Sequence, residues 1–246
     1  MAYRNMIEAI QNQLIRLSNP DDGVFLQRFF KTGPGQYGEG DRFRGIRVPE
    51  LRKLSKAHQD IPLELAERLL HSAYHEDRLL ALLILIRQYA HANETKRAGI
   101  YTLYLDNTLF INNWDLVDAS AEHIIGAYLN DKNRGPLYQL ARSISLWERR
   151  IAILATFHFI KRGKFHETLR IAEMLLTDKE DLIHKAVGWM LRETGKRDLQ
   201  TEEAFLRVNY RQMPRTMLRY AIEKFPQDKR LGYLKGIAED KIVQNK

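Results

Sequence analysis

The feature that most constrains this chain is a recurrence of helix pairs. Apolar residues fall at helical spacing almost throughout, and strand-type alternation is nearly absent. Pairs are predicted over residues 62–73 and 76–90, 97–110 and 114–129, 135–144 and 147–162, 166–177 and 180–195, and 201–211 and 214–225. The second members begin near Glu76, Trp114, Trp147, Glu180 and Pro214, mostly about 33 residues apart, a period that marks two-helix repeats. A pair of that length cannot bury its apolar face alone, so neighbouring pairs stack into a solenoid. The tetratricopeptide pattern is absent. The expected fold is therefore an all-α, HEAT-like solenoid of antiparallel helix pairs, a single domain over residues 1–246. Within it, N-terminal helices and a loop occupy 1–60, repeats occupy 61–230, and a polar tail runs from Ala238 to Lys246.

Ahead of the repeats, Met6, Ile7, Ile10, Leu14 and Leu17 line one side of a helix over 3–18. Asn19-Pro20-Asp21-Asp22-Gly23 reads as a break, followed by a short helix over Val24–Lys31. Thr32 to Asp41 holds four glycines and a proline and reads as a loop. Pro49 suits the first turn of a helix over Glu50–Ala57.

Composition narrows the chemistry. With 39 Lys and Arg against 31 Asp and Glu, the formal charge is +8. That excess fits a polyanionic partner, nucleic acid above all, and equally an ordinary basic surface. There is no cysteine, which removes disulfides, thiolate zinc sites and cysteine nucleophiles. The longest apolar run, Leu79–Ile86, falls well short of the ~20 residues that span a bilayer. The N-terminus lacks an apolar signal core, so a cytoplasmic protein without membrane contact is expected. His71 and His75 are spaced i,i+4 but complete no zinc motif, and no phosphate loop, dinucleotide fingerprint or nucleophile elbow is present. No metal and no organic cofactor is expected.

The unusual residues gather on the second helices of the pairs: Trp114 with Asp118, Trp147 with Arg149 and Arg150, Trp189 with Arg192, and Arg215 with Arg219. In a solenoid these would line a basic concave groove. Trp114 and Asp118 are i,i+4 and share a helix face, while Leu116, Val117, Ala119 and Ala121 surround the carboxylate. An isolated acid is costly to bury in an apolar face. Asp118 thus has either a structural arginine partner or a cleft that uses its charge. Asp115 reads as a helix-start residue, and Trp147 as a structural one. Gly188 inside a helix costs ~1 kcal/mol relative to alanine, which implies a close helix approach or room beside Trp189. Arg42, Arg44, Arg47, Arg52 and Lys53 surround the glycine-rich loop and either grip a nucleic-acid backbone or are simply solvated.

Together these motifs resemble the DNA alkylation repair family of HEAT-like DNA glycosylases, the AlkD type. The resemblance rests on Trp114-Asp115-Leu116-Val117-Asp118, Trp147-Glu148-Arg149-Arg150, Ile183 to Glu193, and Gly45-Ile46-Arg47-Val48-Pro49-Glu50-Leu51-Arg52, which follow the family's order across most of the chain. It implies excision of cationic N3- and N7-alkylpurines from duplex DNA by a monomer, within base excision repair and without a base-flipping pocket. By position it makes Asp118 the catalytic carboxylate. Trp114 and Trp189 become the indoles beside the lesion nucleotide, and Arg150 the active-site arginine. Arg149, Arg192, Arg47, Arg52, Lys53, Arg44 and Phe29 are the expected DNA contacts. Two departures stand out: Phe29 falls where the family commonly has tyrosine, and His158 where it has lysine. The alternative is a non-catalytic scaffold of the same fold that binds DNA or RNA.

Overall fold

The structure is a computed structural model and describes residues 2–237, with side chains from residue 5 onward. The expected tail from Ala238 lies outside the described residues. Fifteen α-helices are present among them. The first six are α1 (Ala2–Leu17), α2 (Pro20–Phe29), α3 (Val48–Ala57), α4 (Leu63–Leu70), α5 (His75–His91) and α6 (Glu94–Asp106). Then come α7 (Trp114–Ala121), α8 (Gly135–Leu140), α9 (Leu146–Ala155), α10 (Phe157–Ile160) and α11 (His166–Met174). The last are α12 (Asp181–Gly195), α13 (Leu199–Asn209), α14 (Arg215–Ala221) and α15 (Gln227–Lys235). No strand occurs among the described residues. The fold is the all-α helical repeat that the periodicity demands.

The chain divides into two compact units, Met1–Ile124 and Ile125–Lys246. Each is built around one buried second helix. In the first unit that helix is α5, packed against α3, α4, α6 and α7. Leu80, Ala81, Leu82, Ile84 and Leu85 have no solvent exposure, as expected of a helix that is apolar on all sides. Each buried leucine or isoleucine contributes ~1.5–3 kcal/mol. In the second unit α12 plays the same part against α9, α10, α11, α13 and α14, burying Ile183, Ala186, Val187, Met190 and Leu191. Within each unit second helices thus neighbour second helices (α5 on α7; α9 on α12 and α12 on α14).

Gly188 explains how closely α12 and α14 approach. A Cβ there would lie 2.4 Å from the Met217 carbonyl oxygen and 2.5 Å from the Tyr220 Cβ. The glycine therefore marks a close approach.

Several boundaries differ from expectation for local reasons. The break after α1 is present but is only Ser18 and Asn19 long, so Pro20 to Gly23 belong to the next helix and not to a loop. Asn19 Oδ1 accepts from the backbone N–H of Asp21 and Asp22, and Pro20 takes the first turn, so α2 starts there. The helix expected over 114–129 gives way after Ala121 to a π-helical turn, Glu122–Gly126, an irregularity often found at functional sites. The helix expected over 147–162 divides into α9 and α10. α15 lies beyond the last expected pair.

Candidate active site and nucleic-acid interface

The first unit presents Asp118 at a cavity. The carboxylate is half-buried on α7 and lines a space of about 490 Å³ with Arg52, Ser55, Arg87, His91 and His123. Arg52, His91 and His123 are exposed. Arg87 is half-buried, its Nε donating to Ser55 Oγ at 2.9 Å. α3 supplies Arg52 and Ser55, α5 supplies Arg87 and His91, and the π turn supplies His123. The Gly-Ile-x-x-Pro-x-x-Arg stretch thus delivers its arginine to the cavity of the predicted catalytic acid. Beneath it the Tyr104 hydroxyl and Ser120 Oγ lie 2.9 Å apart. Burial raises the Tyr104 pKa above its ordinary value, and the negative charge of Asp118 adds to this. Arg87, His91 and His123 were missed in the sequence, where each is a lone residue without a motif.

Trp114 opens α7 one turn earlier, and its indole meets a different group of residues. It stacks on Phe30 at 5.3 Å and meets Phe29 edge-on at 6.1 Å; it is not among the residues lining the Asp118 cavity. Phe29 is 54% exposed at the end of α2, so the ring expected to reach DNA is at the surface beside Trp114. A second, mainly apolar cavity of about 410 Å³ opens beside these rings, lined by Phe25, Phe29, Phe30, Phe43, His75 and Asp115 among others.

Behind this cluster lies a buried polar network that the sequence did not reveal. His75, Glu76, Asp77 and Arg78, the first four residues of α5, are all buried. Glu76 accepts from the backbone N–H groups of Arg44, Gly45 and Ile46 at 2.8–3.1 Å. Asp77 takes the Arg44 guanidinium on both oxygens, at 2.6 and 2.9 Å. Gly45, at φ +78°, permits the turn; a Cβ there would sit 2.0 Å from the Asn19 carbonyl oxygen. His75 Nε2 lies 2.8 Å from Asp115 Oδ2, and Nδ1 lies 3.4 Å from Asp41 Oδ2. Arg78 pairs with Asp41 at 2.7 Å. Burial alone would lower the His75 pKa, but the bonds to Asp115 and Asp41 outweigh it and hold it above the ordinary value. Asp41 is held below its ordinary value: burial opposes this, and His75 and Arg78 prevail. Asp115, expected to be only a helix-start residue, is therefore tied to the interior.

The remaining expected residues fall as follows. Arg44 sits over the Tyr74 ring at 3.9 Å and pairs with Asp77, which makes it a structural tie and not a free backbone grip. Arg47 is largely exposed and reaches Asp22 at 3.4 Å; Lys53, also exposed, pairs with Glu50 at 2.7 Å.

In the second unit, Arg149 holds Asp178 at 2.6 Å and donates to the Ser143 and Ile144 carbonyls, so its guanidinium too is internally engaged. Arg150 is buried, with Nη1 donating to the Leu182 carbonyl at the start of α12. Trp189 is half-buried, 5.9 Å from Phe157. Arg192 pairs with Glu223. Asp118 and Trp114 belong to the first unit, Arg150 and Trp189 to the second. Among the described residues no group of His, Asp or Glu is arranged to hold a metal ion, and no helix is long and apolar enough to cross a membrane.

The family model described as DNA alkylation repair enzyme matches residues 10–225. Among solved structures, the chain is similar to one described as "Predicted DNA alkylation repair enzyme from Enterococcus faecalis". The TM-score is 0.66 and the identity 17%, over 85% of this chain and 97% of that one. At that identity the likeness speaks to the fold. No curated protein matches.

Proposed function

The chain belongs to the DNA alkylation repair enzyme family, and from that premise we propose that it is a DNA glycosylase. Its reaction is hydrolysis of the N-glycosidic bond of cationic N3- or N7-alkylpurines in duplex DNA. The observation that carries the reading is Asp118, a carboxylate at a cavity that also holds Arg52 and Arg87.

Alkylation at N3 or N7 already places positive charge on the purine, so the base departs without protonation. The enzyme must stabilise the oxocarbenium-like sugar and place a water, as in glycoside hydrolysis. A fixed carboxylate facing the developing cation does both. An indole face favours a cation electrostatically, which is the role the family resemblance gives Trp114, on the same helix as Asp118, and Trp189. Arg52, Arg87 and the exposed Arg47 and Lys53 suit the phosphates on either side of the lesion. Arg44 and Arg149 are left out of that set because Asp77 and Asp178 already hold them. Arg150 keeps the catalytic role that the family resemblance gives it.

The alternative, a non-catalytic DNA- or RNA-binding scaffold, gains support from that same Arg150, which is buried and bonded to a backbone carbonyl. An excision assay separates the two readings. Duplex DNA carrying N7-methylguanine or N3-methyladenine is incubated with the protein, and the released base is quantified. Base release supports the glycosylase; tight duplex binding with no release from either lesion leaves the scaffold.

A further inference from the structure

We propose that His75 is a positioning residue for excision: as an imidazolium it clamps the first turn of α7, the helix that carries Trp114 and Asp118. This rests on the glycosylase reading above.

The argument is geometric. Both ring nitrogens of His75 face carboxylate oxygens, Asp115 Oδ2 at 2.8 Å and Asp41 Oδ2 at 3.4 Å. A carboxylate accepts and cannot donate. Satisfying both contacts therefore requires a proton on each nitrogen, which is the cationic form. The other charge that acts on the ring is Arg78, which pairs with Asp41, while Glu76, next to His75 in sequence, turns to the backbone of 44–46. The ring is buried, with 2% exposure of its side chain, so its charge is not screened by water.

His75 reaches α7 by two routes. One is the bond to Asp115, whose other oxygen, Oδ1, receives the Leu116 N–H at 2.9 Å and so fixes the helix start. The other is a column of rings: His75 on Phe43 at 4.5 Å, Phe43 on Phe30 at 5.0 Å, and Phe30 on Trp114 at 5.3 Å. A cation beside aromatic faces is favourable in its own right. Asp41, on the far side, closes the glycine-rich segment. One imidazolium thus joins the end of that loop, the start of α5 and the start of α7. Asp115 is three residues before Asp118, so a tilt of the first turn moves the carboxylate. A misplacement near 1 Å can cost about a hundredfold in rate.

The test compares His75→Asn and His75→Gln in single-turnover excision at saturating protein, alongside DNA affinity and melting temperature. Asn keeps a donor near the Nδ1 position and loses the link to Asp115; Gln keeps a donor near Nε2. We expect His75→Asn to slow excision about ten- to a hundredfold with DNA affinity within about twofold, and His75→Gln to recover most of the rate. The wild-type rate should fall as pH rises through the elevated His75 value, and His75→Gln should lack that limb. An unchanged rate in His75→Asn overturns the proposal. So do equal losses in both variants that track a lowered melting temperature, because these mark a packing role. If the wild type binds duplex but releases no base, the glycosylase reading fails first and takes this inference with it.

Discussion

The same substitution, glycine to alanine, should have opposite signs at two helical positions of this chain. Gly99 lies inside α6, and a Cβ there meets only Leu63 Cδ1 at 3.6 Å, an ordinary contact. Gly188 lies inside α12, where a Cβ would sit 2.4 Å from the Met217 carbonyl oxygen and 2.5 Å from the Tyr220 Cβ. Alanine gains about 0.8–1 kcal/mol over glycine in a helix interior at both sites. At Gly99 nothing opposes that gain, so Gly99→Ala should stabilise by about 0.5–1 kcal/mol. At Gly188 the clash is with backbone, which cannot rotate away, so α14 must move off α12. Overpacking of this kind costs typically 1–3 kcal/mol and sometimes more. Because the contact is far inside van der Waals distance, the upper part of that range applies. Gly188→Ala should therefore destabilise by about 1–2 kcal/mol net. Urea unfolding followed by tryptophan fluorescence reads both, as shifts in midpoint at constant slope. A Gly188→Ala protein as stable as wild type would refute the close α12–α14 contact.

Other outcomes follow from the same structure. Burial pushes the Glu202 carboxyl up to about 8, so its folded-state value lies above the unfolded one. The stability it contributes is present below pH ~4.5 and is lost as pH rises toward that folded value. Glu202→Gln should therefore melt above wild type at pH 8 and close to it at pH 4.5, and a flat difference across that range would contradict the assignment. Arg44→Ala should lower stability by removing the Asp77 pair while leaving the salt dependence of DNA binding intact. Arg52→Ala should do the reverse, reducing the slope of log affinity against log salt by about 0.9 for one lost phosphate contact. Equal slopes for Arg52→Ala and wild type would remove Arg52 from the interface.

The helix pairs were legible because burial on one face imposes a 3.6-residue period, and that period survives in Ile183–Leu191, whereas Leu79–Leu85 is apolar on all sides and shows a helix by length alone. Helix ends were less legible. The α2 start depends on the Asn19 side chain bonding to its own backbone, and the π turn after Ala121 leaves no mark in the apolar pattern. Asp118 could be singled out because an acid among apolar neighbours is anomalous on its own. His75 to Arg78 could not. Four polar residues at a helix start look like a solvated end, and they are buried only because residues 41–46 and Asp115 supply a partner for each carboxylate and cation. Arg44 and Arg149 read as free cations for a similar reason, since their acids lie 33 and 29 residues away in sequence.

The central claim concerns Asp118, and one measurement meets it directly: the single-turnover rate of N7-methylguanine or N3-methyladenine release by wild type and Asp118→Asn, with duplex affinity determined on the same preparations. The account predicts measurable release by wild type and a loss of about 10²–10³ in rate for Asp118→Asn, with affinity for the lesion duplex little changed. Full excision by a folded Asp118→Asn protein would contradict it.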